Sequence, residues 1–168
     1  DKASIHLRGL HLDSLQGDST MVQIGTAFGI TTTATVDGIL LEKSTAEAIP
    51  FFEKNFSSCP DIAQTLAVIC GGNGTLGLFS GIDTLKIKET DRIAALQNEL
   101  AKVQVWMAAL PNKFSKKQAA NFYQVEGKAT WDSPPTFDTY NDHRMAMAFA
   151  ALVMLGDVII DNPTVVEK

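Results

Sequence analysis

Lys88-Glu89-Thr90-Asp91-Arg92-Ile93-Ala94-Ala95-Leu96-Gln97-Asn98-Glu99-Leu100 is the stretch on which the reading of the fold turns. Ile93, Leu96, Leu100 and Val103 recur at helical spacing, and Thr90 ahead of them is a capping residue. With Thr90 as N-cap, Arg92 lies in the first turn. A cation there faces the positive end of the helix dipole, at a cost of a few tenths to ~1 kcal/mol. An anion held by the helix start together with Lys88 and Arg92, with Glu89 beside them, accounts for that placement. The plainer account is a solvated charged turn with both cations facing water.

Asn141-Asp142-His143-Arg144 makes the same choice, a capping residue and then an arginine in the first turn. Asp142 can orient either His143 or Arg144. His143 taken alone reads as a structural hydrogen-bonder, and His6 and His11 have no ligand-like spacing to it, so no metal site is expected. Two basic helix starts in an acidic chain bring the anion reading level with the plain one. Cys59-Pro60-Asp61 opens a third helix, with proline at its first position and Asp61 suited to cap and dipole. Cys59 reads as a small core residue. Leu15-Gln16-Gly17-Asp18 reads as a turn and cap. Gly71-Gly72-Asn73-Gly74 lacks the lysine and hydroxyl of a phosphate loop and reads as a helix stop.

Working outward, the spacing predicts helices over 19–28, 61–70, 91–102 and 144–155. The last is apolar nearly all round, as a buried helix is. Strand-like runs cover 4–8, 30–36, 39–41, 75–79, 103–108, 121–125 and 157–160, with Asp37-Gly38 as a hairpin turn and breaks at 111–117 and 133–135. Met21, Ile24 and Phe28 recur as Ile93, Leu96 and Leu100 at one constant offset, and Asp18 matches Thr90 at the same offset. A second echo links 60–78 with 141–160: an aspartate opens a helix, a glycine ends it and an apolar strand follows. Copies of a supersecondary unit around one core are implied. The fold class is α/β or α+β, one partial domain over 1–168 with helices packed against mixed sheets.

The chain has 168 residues, 45% hydrophobic and 20% charged, with a net charge of −5. That balance is globular and argues against a nucleic-acid footprint. Two cysteines, Cys59 and Cys70, form neither a metal-type spacing nor a disulfide framework. Asp1-Lys2-Ala3-Ser4 does not open a signal peptide. The most apolar stretch, 145–160, falls short of the ~20 residues of a membrane helix and is interrupted by Gly156-Asp157. A reduced cytoplasmic protein is expected. The first seven residues read as a strand and Glu167-Lys168 falls in a loop, so the chain is expected to be a fragment.

These motifs together resemble the 5-enolpyruvylshikimate-3-phosphate synthase family. Residues 85–93 with Glu99-Leu100 resemble its Lys-Glu-Thr-Asp-Arg signature, and 140–147 its Asp-His-Arg-Met-Ala-Met segment. Pro60-Asp61 before an alanine-rich apolar helix resembles its catalytic aspartate segment, and Gln16-Gly17-Asp18 its Gln-Gly-Asp turn. Order and spacing match along essentially the whole chain. The resemblance implies two domains of repeated β-α-β-α-β-β units, of which this chain is most of one. It also implies transfer of the enolpyruvyl group of phosphoenolpyruvate to the 5-hydroxyl of shikimate 3-phosphate, without metal or organic cofactor. The enzyme is expected to be monomeric and cytoplasmic, with neither nucleic acid nor membrane as partner.

By the same resemblance, Arg92 and Arg144 hold the phosphoenolpyruvate carboxylate. Lys168 lies near its phosphate and Lys88 near the shikimate phosphate hydroxyls. Asp61 binds the ring and helps deprotonate the attacking hydroxyl. Glu89 exchanges protons with the methylene carbon, while Asp142 and His143 support. Thr84 stands where some members carry an asparagine that contacts the shikimate phosphate, and Val103-Gln104 replaces a common glycine after the third helix. The cations that grip the shikimate phosphate are expected outside this chain, so the fragment alone is expected to be inactive. The UDP-sugar enolpyruvyl transferase of the same fold differs at the Lys-Glu-Thr-Asp-Arg turn. A non-catalytic module would have no reason to keep Asp61, Glu89, Arg92, Arg144 and Lys168 together.

Overall fold

The computed structural model describes residues 2–43, 49–111 and 121–167. They fall into two compact units, 1–49 and 50–168. In the first, β1 (Ala3–Arg8) is followed by a 3-10 turn (Gly17–Thr20), α1 (Met21–Ala27), β2 (Ile30–Ala34) and β3 (Gly38–Lys43). The strands form an antiparallel sheet in the order β1-β3-β2. Asp37-Gly38 lies at the β2–β3 turn as the sequence predicts, and glycine is required there, because a Cβ at Gly38 would meet the Leu7 carbonyl oxygen at 2.1 Å. Ile24, Phe28 and Ile39 are its buried side chains.

The second unit runs β4 (Phe51–Asn55), a 3-10 turn (Pro60–Ile62), α2 (Ala63–Asn73), β5 (Leu76–Ser80), α3 (Arg92–Ala101), β6 (Val105–Ala109) and β7 (Phe122–Gly127). This is one complete β-α-β-α-β-β series. Its sheet is mixed, in the order β4-β5-β7-β6, with β4 parallel to β5 across the α2 connection and the other pairs antiparallel. A parallel pair needs a crossover of this kind. Next come β8 (Thr136–Phe137), α4 (His143–Ala150) with a 3-10 turn (Ala151–Met154), and β9 (Ile159–Ile160). Strands β8 and β9 are also parallel across a helix, so the echo between 60–78 and 141–160 reappears in the topology. Helix α2 packs on α4 and on the sheet, and α3 packs on β6. Phe56, Leu66, Phe79, Leu96, Leu100, Phe137, Met145 and Phe149 make the core. The fold is α/β with helices on mixed sheets, as expected.

Several local expectations change. Asp91, not Thr90, caps α3: its carboxylate accepts from Ile93 N and Ala94 N, both at 3.1 Å. An aspartate there satisfies two orphan donors and complements the dipole, which threonine does only in part. Asp18 lies inside the 3-10 turn (Gly17–Thr20) ahead of α1, and Thr20, not Asp18, is the N-cap position of that helix. Helix α2 continues through Gly71 and Gly72 and stops at Gly74, which takes the left-handed conformation at φ 72°. Gly71 serves close packing, since a Cβ there would lie 2.9 Å from a Val105 methyl. Helix α4 ends at Ala150, short of the expected 155, and the segment is not buried all round: Met147 in the helix and Val153, Met154 and Leu155 beyond it are exposed. Strand β9 is shorter than expected, and 163–167 is a 3-10 turn rather than plain loop. Strand β4 was not expected from the sequence. Gln104 takes the left-handed conformation, φ 61°, where a glycine is usual. The loop expected at 111–117 lies outside the described residues beyond Pro111.

Candidate active site

Arg92 is the first residue of α3, and its side chain is buried with 1% exposure. Its guanidinium is claimed on every side by carboxylates. Nε donates to Asp142 Oδ2 at 2.5 Å and Nη2 to Asp142 Oδ1 at 3.3 Å, a side-on fork. Nη1 donates to Asp61 Oδ1 at 2.9 Å, and Nη2 also to Glu89 Oε2 at 2.6 Å. These bonds answer the misplaced cation at the helix start: the dipole cost is offset by three anions. In this structure the Arg92 guanidinium is occupied by the protein's own carboxylates rather than open.

Each partner arrives from the start of a different element. Asp61 comes from the 3-10 turn that leads into α2. Asp142 is the N-cap of α4, its Oδ1 accepting from Arg144 N at 2.9 Å. Because the cap fixes the Asp142 carboxylate, one residue both starts α4 and holds Arg92. Arg144, one residue into the helix, donates to the Asp61 carbonyl at 3.1 Å and pairs with Asp61 Oδ2 at 3.4 Å. Lys88 Nζ stands 3.3 Å from Asp61 Oδ1. Burial works to raise the Asp61 carboxyl, yet the charges of Arg144, Lys88 and Arg92 and the Lys88 hydrogen bond outweigh it and hold its pKa below the ordinary value. Asp61 is therefore an ionised acceptor at neutral pH.

Six of the residues predicted from sequence, Asp61, Lys88, Glu89, Arg92, Asp142 and Arg144, are thus brought together. Three cations face three carboxylates, and the partly exposed Asp61, Glu89, Lys88 and Arg144 stand at the rim over buried Arg92 and Asp142. His143 stays at the edge, its Nδ1 4.0 Å from Asp142 Oδ1. Thr84 is exposed in a 3-10 turn (Asp83–Ile87), and among the described residues no hydrogen bond ties it to the cluster. Lys168 lies outside the described residues.

Sequence reasoning missed two supports. Gln64 is fully buried against the cluster; in the amide orientation that satisfies both ends, its oxygen accepts from Arg92 Nε and its nitrogen donates to the Asp61 carbonyl, each at 3.2 Å. The signal was an amide in the first turn of a largely apolar helix, three residues after Asp61. Glu99, also buried, binds Tyr140, Lys102 and the Asp138 amide. No helix among the described residues is long and apolar enough to cross a membrane.

The family described as EPSP synthase (3-phosphoshikimate 1-carboxyvinyltransferase) matches residues 1–168. The chain is similar to a 3-phosphoshikimate 1-carboxyvinyltransferase of Bacteroides fragilis (strain YCH46), with 38% identity over 168 residues, 99% of this chain and 39% of that protein. A protein of the same name from Cellvibrio japonicus (strain Ueda107) is 32% identical over 170 residues, covering 98% and 36%. Another, from Neisseria meningitidis serogroup B (strain ATCC BAA-335 / MC58), is 28% identical over 165 residues, with the same two coverages. The chain spans about two-fifths of the length of the curated relatives it matches.

Proposed function

The chain belongs to the EPSP synthase (3-phosphoshikimate 1-carboxyvinyltransferase) family, and on that premise we propose that the whole protein transfers the enolpyruvyl group of phosphoenolpyruvate to the 5-hydroxyl of shikimate 3-phosphate and releases phosphate. The 168 residues then form most of one of its two domains, and the cations that grip the shikimate phosphate come from the remainder. The protein acts in the cytoplasm as a monomer, without metal or organic cofactor, and takes neither nucleic acid nor membrane as partner.

The observation that carries this reading is the convergence of Lys88, Arg92 and Arg144 on Asp61 and Glu89 at three helix starts. Phosphoenolpyruvate brings a carboxylate and a phosphate, and a planar guanidinium fork suits the carboxylate. Arg92 and Arg144 take that carboxylate, Lys168 stands near the phosphate, and Lys88 near the hydroxyls of the shikimate ring. Thr84 contacts the shikimate phosphate. Asp61, kept ionised by its cationic neighbours, accepts the hydrogen bond of the attacking hydroxyl and helps remove its proton. The hydroxyl oxygen bonds to C2 of phosphoenolpyruvate while Glu89, released from Arg92 and entering the step as the neutral acid, gives its proton to C3, which leaves a tetrahedral adduct and an ionised Glu89. Glu89 then takes a proton back from the new methyl group as the C–O bond to phosphate breaks. Glu89 is half-exposed at the rim, where it can reach a substrate. Asp142 and His143 hold the frame.

Phosphate release by the full-length protein, measured with both substrates, tests the activity. Glu89→Gln is expected to lower kcat by ~10²–10⁴-fold while ligand binding is retained, because its proton transfers occur only on the way through the transition state. No phosphate release by the wild-type protein refutes the activity; near-normal kcat in Glu89→Gln refutes the role.

A further inference from the structure

Helix α3 carries a second buried charge, Glu99, about two turns beyond Arg92 and so on the same face. Both residues reach the segment that runs from Asp138 to Asp142. Arg92 holds its far end through the Asp142 carboxylate. Glu99 holds its near end: Oε2 accepts from the Asp138 amide at 3.0 Å, and Oε1 accepts from the Tyr140 hydroxyl at 2.9 Å. Lys102 compensates the buried charge, its Nζ 2.6 Å from Glu99 Oε2 and 2.9 Å from the Thr136 carbonyl. Glu99 is 1% exposed, so a carboxylate that could have stayed in water is instead spent on one short loop.

The loop needs holding. Tyr140 and Asn141 are consecutive left-handed residues, with φ of 51° and 56°. Asparagine tolerates that conformation, but a bulky tyrosine does so only where its surroundings impose it. The two left-handed residues turn the chain so that the next residue, Asp142, enters the start of α4 with its carboxylate against Arg92. Tyr140 is restrained by its hydroxyl, which donates to Glu99 Oε1 and accepts a longer bond from Asn98 Nδ2 at 3.4 Å, and by its amide, which donates to Asp138 Oδ1 at 2.8 Å.

We infer that Glu99 is a positioning residue for the active site: through Tyr140 and Asp138 it sets the Asp142 carboxylate, and through Asp142 the orientation of the Arg92 guanidinium. The inference deepens the proposed function and rests on it only for the kinetic half of its test. Glu99 touches no reacting group; its effect is delivered at Arg92, whose role is to hold a carboxylate. Its loss therefore falls on the KM for phosphoenolpyruvate rather than on kcat.

Tyr140→Phe removes one hydroxyl and keeps the ring, so it leaves the fold in place. Glu99→Gln keeps the shape and the Asp138 bond. Both are made in the full-length protein, with 15N-labelled arginine, and the Arg92 Nε–H signal is assigned by its loss in Arg92→Lys. In each variant the Nε proton is expected to exchange with solvent about tenfold faster than in the wild type, and the KM for phosphoenolpyruvate to rise about tenfold with kcat little changed, within the range coupled members of one hydrogen-bond network show. Combined with Asp142→Asn, Tyr140→Phe is expected to add much less than its own single effect, because the path through Asp142 is already broken. Lower thermal stability with an unmoved Nε signal would reduce Glu99 to a structural clasp and overturn the inference. A wild-type protein without phosphate release would sink the proposed function alone, and the Nε signal would still decide the role of Glu99.

Discussion

Replacing Asp142 by asparagine asks whether the charge cluster is held by its pairing or merely by the packing around it. The Arg92 and Asp142 side chains are 1% and 0% exposed. Asparagine keeps the shape and caps α4 as well as aspartate does. It leaves three cations facing two carboxylates, with the deficit at the buried end, where water cannot enter to compensate. Removing one partner of a buried pair costs ~3–5 kcal/mol. Asp61 and Glu89 remain on Nη1 and Nη2, which places Asp142→Asn near the lower bound, about 3 kcal/mol. Asp142→Ala also loses the bond to Arg144 N, worth ~1 kcal/mol as a helix cap, so it is expected at about 4 kcal/mol. The assay is amide hydrogen exchange over α3 and α4 in the full-length protein at pH 7, which reads the opening free energy of this region separately from the remainder. If Asp142→Asn kept its protection within ~1 kcal/mol of wild type, the uncompensated charge would not be the governing term and the reasoning would fail.

Two further outcomes follow from single residues. Gln104→Gly is expected to raise stability by about 0.5–1 kcal/mol, because Gln104 sits at φ 61° after α3 and glycine takes that conformation without strain; an unchanged or lower urea midpoint counts against it. Asp61 has a depressed carboxyl, so its contribution to stability is fully present above its unfolded pKa of ~3.9 and is lost as pH falls through the lower folded value. Unfolding followed between pH 5 and pH 2 is expected to show a flatter acid limb in Asp61→Asn than in wild type, and identical limbs would remove Asp61 as a contributor.

The helices were legible because their apolar spacing is strong: Ile93, Leu96 and Leu100 are all buried on α3, as the period requires. Strand β4 was not, because Phe52 is its one buried residue and Glu53-Lys54 follows it. The Gly71-Gly72 pair read as a stop because local propensity says so; only the approach of Val105 from β6, distant in sequence, explains why glycine continues the helix. For the site, the two misplaced arginines announced an anion. They did not announce that the protein supplies the anions itself, since Asp142 reaches Arg92 from fifty positions away in the chain. Glu99 was legible as part of a signature and illegible as a physical element, because its partners Asp138 and Tyr140 become neighbours only when α3 meets the loop before α4.

On the proposed function, the hold of Glu89 on Arg92 Nη2 at 2.6 Å makes the cluster its own inhibitor. Glu89 lies three residues from Arg92 in the chain, so it competes for the guanidinium as a tethered ligand, present at high effective concentration whatever the solution contains. An anion from outside takes the place of Glu89 on Nη2 only in the fraction of molecules whose Glu89 has swung away, and its apparent affinity there is the intrinsic affinity reduced by that fraction. An ion with a single weak contact does not meet that threshold. A ligand that engages Arg144 and Lys88 at the same time recovers the loss through its other contacts, so the internal competitor sets a minimum number of charges that a molecule must present before it is admitted.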